Sequence, residues 1–469
     1  MTMSGRCARC RSPRTTRGTD AAARSPTSRS TRRKKPDRAD CAEEQETGEP
    51  EKPPMNHQAT CHQPDQDSLT RRRFLAGTLG AAVPLAASSS TAQEAVLTQA
   101  PAPSRRIRTG FVGLGGRGLW IAKLFLEHGG YEASAVADYF PEVAAAGGRE
   151  LGVDAARCFS GLSGFRKVID SGIEAIVLEV PPFFLPEMCE AAVEAGLHVF
   201  MAKPVASDVP GALRVEAAAA LATRKNRCFL VDYQAPTEPH HIEIVSRIRE
   251  GAIGSIAHVE SRGICEGFGD PKVSLEESLK DLIWVNHVAL GCDYIGNFDI
   301  HAVDLAVWVL GERPVAAIGT SAIRRADPHG DSRDVCDVLF EYASGVPHRH
   351  IGMGLRNRSA SDLSCAVSGT AGNGRIAYFG KTFLHGGSRP YAGGEVTNLY
   401  KTGAQRNITT FHHDIVTERS ENPTVRRAID GCLACILGRE AAARKTRLTM
   451  EQLLAENTAL TLDLSWLKA

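Results

Sequence analysis

The 469-residue chain has no excess of charge of either sign: 55 Lys and Arg stand against 54 Asp and Glu, a net charge of +1. Without a one-signed field there is no global attraction to a polyanion or an anionic lipid surface. Neither nucleic acid nor membrane is therefore expected as a partner. Long apolar runs are missing too. The stretch Ala76 to Ala87 holds about a dozen residues, interrupted by Pro84, whereas a helix needs about 20 to cross a bilayer. No internal repeat is visible, which removes solenoid arrays. The histidines (His240-His241, His287, His348, His350, His412-His413) are dispersed, and no His/carboxylate spacing matches a metal motif. His348-x-His350 would place both rings on one face of a predicted strand, without such a spacing. No metal is expected. The 13 cysteines are equally scattered. Cys7-x-x-Cys10 lacks a second ligand pair, and Cys432-x-x-Cys435 sits in a helical pattern without the strand of a redox motif, so both read as ordinary thiols.

The chain opens on residues that cannot build a core. Residues 1–69 are mostly rich in Arg, Ser, Thr, Pro and Glu without a hydrophobic period, and predict a disordered leader. Met55 is a second candidate start beside Met1. Thr70-Arg71-Arg72-Arg73-Phe74-Leu75, ahead of the small-residue apolar run, predicts a twin-arginine export signal over 70–92, cleaved after Ser90-Thr91-Ala92. The expected location is periplasmic or otherwise extracytoplasmic, and the twin-arginine export machinery is an expected partner. Residues 93–105 read as a linker.

The most specific local signal follows. The apolar run Ile107 to Val112 leads into Gly113-Leu114-Gly115-Gly116-Arg117-Gly118 and then a helical pattern. A strand, G-x-G-x-x-G and a helix form the phosphate cradle of a dinucleotide site. Gly113 permits a tight turn with positive φ, Gly115 and Gly116 let backbone approach a pyrophosphate, and Gly118 lets the helix pack closely. The second strand ends at Asp138, where a carboxylate would accept hydrogen bonds from a ribose. That charge repels a 2′-phosphate and favours NAD, while Arg117 keeps NADP open.

Short apolar strands alternate with helical patterns through residues 106–235, which predicts a doubly wound parallel sheet. Residues 236–469 show strand runs with turn signals, plus helices at Ile300–Leu310 and Thr424–Arg439. They predict an α+β domain with a largely antiparallel sheet, a two-domain enzyme layout of α/β class. The fifth strand runs out through Phe200-Met201-Ala202-Lys203-Pro204, so that Lys203 either points into the crevice at the strands' carboxyl ends or is a solvated surface lysine, the reading that position alone favours.

The glycine turn, the acidic end of the second strand and the His198–Pro204 segment resemble the Gfo/Idh/MocA oxidoreductase family, which includes glucose–fructose oxidoreductase and inositol dehydrogenase. The resemblance runs from about Arg106 to Lys468. It takes in Gly251-Ala252-Ile253-Gly254, Asp299-Ile300-His301-Ala302-Val303-Asp304 and Leu437-Gly438-Arg439-Glu440-Ala441-Ala442. It implies a tightly bound nicotinamide cofactor, a small carbohydrate substrate and a homo-oligomer. It also implies that Lys203 contacts cofactor and substrate hydroxyl, that His301 acts as general acid/base, and that Pro181 walls the nicotinamide site. The chain departs from the family pattern at Val180, Leu185, Ala202 and Asn297. With Ala202 and Asn297 uncharged, the site is expected to hold few carboxylates. Lys203 should then titrate low and serve as base, with His301, of pKa near neutrality, as the other candidate. Asp299 or Asp304 would stand in as the carboxylate partner of His301. Asn297, Asp304 and His287 are candidate substrate contacts. The expected function is exported hydride transfer between NAD(P) and a sugar or polyol hydroxyl. Two alternatives stay open: an NAD-recycling glycoside hydrolase or lyase, and a non-catalytic sugar-binding homologue.

Overall fold

A computed structural model describes residues 105–469. The expected leader and twin-arginine signal lie outside the described residues. The first sheet is built from β1 (Ile107–Val112), β2 (Tyr131–Asp138), β3 (Cys158–Ser160), β4 (Ala175–Leu178), β5 (His198–Met201) and β6 (Phe229–Val231). All six strands are parallel, in the order β3-β2-β1-β4-β5-β6. β4 and β6 are buried at every residue, as expected for strands covered on both faces. Between the strands run α1 (Gly116–His128), α2 (Pro141–Leu151), α3 (Gly164–Ile169), α4 (Leu185–Glu194) and α5 (Val209–Arg224). The strand order reverses between β1 and β4, which places the ligand crevice outside their carboxyl ends.

The chain then enters α6 (Pro239–Arg249) and a nine-stranded sheet. Its strands are β7 (Ile256–Cys265), β8 (Ala316–Ala322), β9 (Val335–Glu341), β10 (His348–Gly354), β11 (Asp362–Gly369), β12 (Gly372–Ala377), β13 (Gly380–Gly386), β14 (Tyr391–Val396) and β15 (Leu448–Thr449). The order is β14-β13-β12-β11-β7-β10-β9-β8-β15, antiparallel throughout except for the β7/β10 pair. Short helices α7 (Leu275–Ser278), α8 (Val288–Gly291) and α9 (Asp293–Asn297) lead to α10 (Ile300–Leu310). The chain closes with α11 (Leu399–Val416), α12 (Pro423–Arg444) and α13 (Met450–Glu456).

The late helices complete the first sheet's core. Ala404, Ile408, Phe411 and Ile415 of α11 pack with Phe125 and Phe200. α12 carries Cys432, Leu433 and Leu437 into one apolar cluster shared by Val199 and Val231 of the first sheet and Val338 and Phe340 of the second. The edge strand β6 is satisfied from the same quarter. The N–H of Phe229 donates to Asn422 Oδ1 (2.6 Å) and that of Val231 to Thr424 Oγ1 (3.1 Å).

Candidate active site

The glycine turn leaves β1 with Gly113 at φ +84°, and a Cβ there would strike the carbonyl of Glu179. A Cβ at Gly118 would strike the carbonyl of Gly113, so α1 sits against its own loop. Gly115 and Gly116 face open space and start α1, whose first N–H groups point outward. Such a cradle fits a pyrophosphate: the positions that shape it tolerate no side chain, and the positions that would meet an anion are bare. Asp138 braces the turn. Its Oδ2 accepts from the Leu114 N–H (2.7 Å) and its Oδ1 from the Phe140 N–H (3.0 Å). Burial raises its pKa, against the pull of those donors.

Arg117 does not lie beside Asp138, where a 2′-phosphate would be read. It turns inward, donating to Glu179 Oε2 (3.0 Å) after β4 and to Asp232 Oδ2 (2.5 Å) after β6. Its guanidinium lies 5.0 Å from the Tyr400 ring, which stacks on Trp120. Asp232 is held further by Gln234 Nε2 (2.6 Å) and by Asn407 Nδ2 (2.8 Å) from α11. The expectation of a carboxylate-poor site is thus corrected. Ala202 brings no charge, but Glu179 and Asp232 supply two buried carboxylates from the ends of β4 and β6, which flank β5. Position alone signalled them: each follows directly on a parallel strand, where crevice residues arise.

Lys203 follows β5, joined to Pro204 by a cis peptide. Its Nζ donates to the carbonyl of Asn297 (2.5 Å), so Asn297 meets it through main chain. The Asn297 amide turns back to the Gly291 carbonyl (3.3 Å). Burial, then the Arg117 charge, lower the Lys203 pKa to about 7 against the opposing pull of Glu179 and Asp232. Burial likewise raises Glu179 to about 7, despite Arg117. The direction expected for Lys203 therefore has a different cause from a missing carboxylate.

His301 is the second residue of α10, buried between Tyr378 (ring centroids 4.9 Å apart) and Tyr233 (6.4 Å). Burial, then Lys203 and Arg117, push its pKa well below the ordinary value. It is a neutral imidazole, not one poised near neutrality as the sequence suggested. Neither expected carboxylate serves it. Asp304 is locked into a two-pronged pair with Arg427 (2.7 and 2.9 Å), and Asp299 faces His350 (3.2 Å). The His301 Nδ1 is left buried without a partner, as are Arg117 Nη1, Glu179 Oε1 and the Tyr233 hydroxyl. Unpaired buried polar atoms are rare, and those on His301, Arg117 and Glu179 fit a polar ligand in the crevice, whereas the Tyr233 hydroxyl lies against Gly431 of α12.

Pro181 lies in the loop after β4, and its carbonyl accepts from the Phe184 N–H (3.0 Å). The segment carrying His287 reaches this loop where the Phe183 N–H donates to the Leu290 carbonyl (3.3 Å). Leu185, at a departure from the family pattern, is a fully buried core residue.

Residues 107–233 match the family described as "Oxidoreductase family, NAD-binding Rossmann fold", and residues 241–375 match "GFO/IDH/MocA C-terminal domain". The chain is 25% identical over 241 residues to inositol 2-dehydrogenase of Rhizobium meliloti (strain 1021), covering 51% of this chain and 66% of that protein. It is 26% identical over 178 residues to levoglucosan dehydrogenase of Pseudarthrobacter phenanthrenivorans, covering 38% and 42%. The alignments thus span less than two thirds of each of these relatives. Among solved structures, aldose-aldose oxidoreductase from Caulobacter crescentus complexed with glycerol superposes with a TM-score of 0.60 at 21% identity, covering 74% of this chain and 100% of that one. Levoglucosan dehydrogenase in complex with NADH and levoglucosan gives 0.61 at 18%, covering 74% and 100%.

Proposed function

The chain belongs to the Gfo/Idh/MocA oxidoreductase family, and on that premise we propose that it transfers hydride between NAD and a CH–OH group of a sugar or polyol. The observation that carries this reading is that the Lys203 charge is felt at His301, whose Nδ1 is unpartnered, beside a bare glycine cradle. The similarity to inositol and levoglucosan dehydrogenases supports the substrate class. Asp138 supports NAD over NADP, and the inward commitment of Arg117 removes the obvious phosphate reader.

When bound, the nicotinamide ring supplies the hydride acceptor. The remaining work falls to this chain's own side chains. Lys203 is neutral in part at pH 7, so its Nζ accepts the substrate hydroxyl proton as hydride departs. The Asn297 carbonyl fixes Nζ while leaving its other positions for the alcohol. His301, neutral, offers Nδ1 as a hydrogen-bonding partner to the same or the adjacent hydroxyl. Removing a general base typically lowers turnover by about 10²–10⁴-fold. The expected outcome for Lys203→Met is therefore such a loss of NADH formation with sugars, with NADH binding retained by fluorescence titration. Equal activity in the variant would remove Lys203 from the mechanism. Aglycone released from a model glycoside without net NADH would instead favour the NAD-recycling glycosidase, and bound nucleotide with inertness toward every sugar would favour a binding protein.

Export and self-association belong to the same reading. Thr70 to Leu75 supports twin-arginine export, and Arg71→Lys with Arg72→Lys should hold the protein in the cytoplasm on cell fractionation. Ile318 and Leu339, paired across β8 and β9 and both exposed, support a homo-oligomer through that sheet face.

A further inference from the structure

Outside the nucleotide crevice, three side chains of metal-ligand type converge on the nine-stranded sheet. Asp299 precedes α10, Cys336 lies on β9 and His350 on β10, and all three are buried. One ligand atom of each lies within 4.8 Å of the other two. Asp299 Oδ2 is 3.2 Å from His350 Nε2 and 3.8 Å from Cys336 Sγ. A tetrahedral zinc, with bonds of about 2.1 Å to oxygen and nitrogen and about 2.3 Å to sulfur, sets such pairs about 3.4 and 3.6 Å apart. We infer that Asp299, Cys336 and His350 form a site for one divalent cation of the zinc class.

The surroundings are shaped for it. Gly263 and Gly352 stand directly opposite each other on β7 and β10. A Cβ at either would strike the Asp299 carboxylate, and one at Gly352 would also strike the Cys336 sulfur. Two glycines thus open a trough in which carboxylate and thiol meet. The ligand histidine is oriented from behind. Ser261 Oγ lies 2.8 Å from His350 Nδ1 and 2.7 Å from His348 Nε2, and the Tyr342 hydroxyl 3.2 Å from His348 Nδ1. Occupying Nδ1 leaves Nε2 as the ligating atom, the usual support of a metal-bound imidazole. The two strand histidines therefore divide the labour: His350 ligates, and His348 holds Ser261 in place. Charge agrees as well. A carboxylate and a thiolate balance the two charges of the ion, leaving no net charge in a region that solvates charge poorly. The remaining coordination position falls to Asp299 Oδ1 or a buried water.

The test uses the full chain, stripped by chelation and reloaded with cobalt(II). The expected result is about one ion per chain after desalting and a near-ultraviolet sulfur-to-cobalt charge-transfer band. Cys336→Ser should lose the band, and His350→Gln should lose most of the ion. The wild type decides the matter even where a variant does not fold. Less than about a tenth of an ion per chain, with no band, would overturn the site in favour of a metal-free hydrogen-bonded triad. An undiminished band in folded Cys336→Ser would overturn the ligand assignment.

Discussion

Burial draws Lys203 down and Glu179 up until both titrate at about 7. The consequence for stability has opposite signs on the two sides. An unfolded lysine keeps its proton to 10.5, so between about 7 and that value the unfolded chain binds more protons. The Lys203 penalty is therefore full below 7 and is relieved as pH rises. Unfolded Glu179 loses its proton at 4.5, so over the interval up to about 7 the folded chain binds more, and its contribution falls as pH rises. Together the two groups contribute least near pH 7. In nucleotide-free protein, Lys203→Met should flatten the alkaline limb of Tm against pH, and Glu179→Gln the acid limb. Variants that parallel the wild type at every pH would refute the assignment. The rate should follow the same lysine: kcat/KM for alcohol oxidation is expected to rise through about pH 7. Lys203 and His301 were legible from motif and position. The electrostatics were not, because Arg117 comes from the first turn of α1 and Glu179 and Asp232 from the ends of β4 and β6, and the three meet only in the fold.

At the scale of elements, the glycine turn separates folding from binding. Gly118→Ala places a methyl against the Gly113 carbonyl, and such overpacking typically costs about 1–3 kcal/mol. Gly115→Ala meets open space at an ordinary φ of −61°, so the stability of the free protein should not change. It should weaken NADH instead, because the methyl stands where backbone must approach phosphate. Denaturant melts and NADH titrations on the two variants should show this split. Equal effects on both quantities would mean that the loop has no division of roles. The parallel strands were readable to within a few residues because each is an apolar run between helical periods. β13 and β14 were not: Gly380, Gly386, Gly393 and Gly394 dilute their alternation. α11 escaped for a related reason. Its buried stripe includes Gly403, Asn407 and His412 among the apolar residues, so its 3.6-residue period is visible only once the partner surface is known.

For the whole molecule, the sheets divide at about residue 235, but the cores do not. α11 covers the first sheet through Phe411 and Ile415, and α12 lies between the two sheets. The described region should melt in one calorimetric transition, its van't Hoff and calorimetric enthalpies agreeing. Two resolved transitions would show that the shared core is not cooperative. Asn422→Ala, which strips the Phe229 N–H of its partner, should lower that single transition by about 1–3 kcal/mol without splitting it. A ribosome delivers the chain from its amino end, and this gives the arrangement a meaning in time. Strands β1 to β6 emerge first, yet the groups that seal β6 and floor the crevice, Asn407, Asn422 and Thr424, follow only with α11 and the start of α12, after the whole second sheet but β15. The nucleotide pocket therefore cannot mature before those helices have been made. A nascent chain must hold a half-covered apolar sheet until α11 and the start of α12 have emerged, and their arrival becomes the checkpoint for cofactor loading.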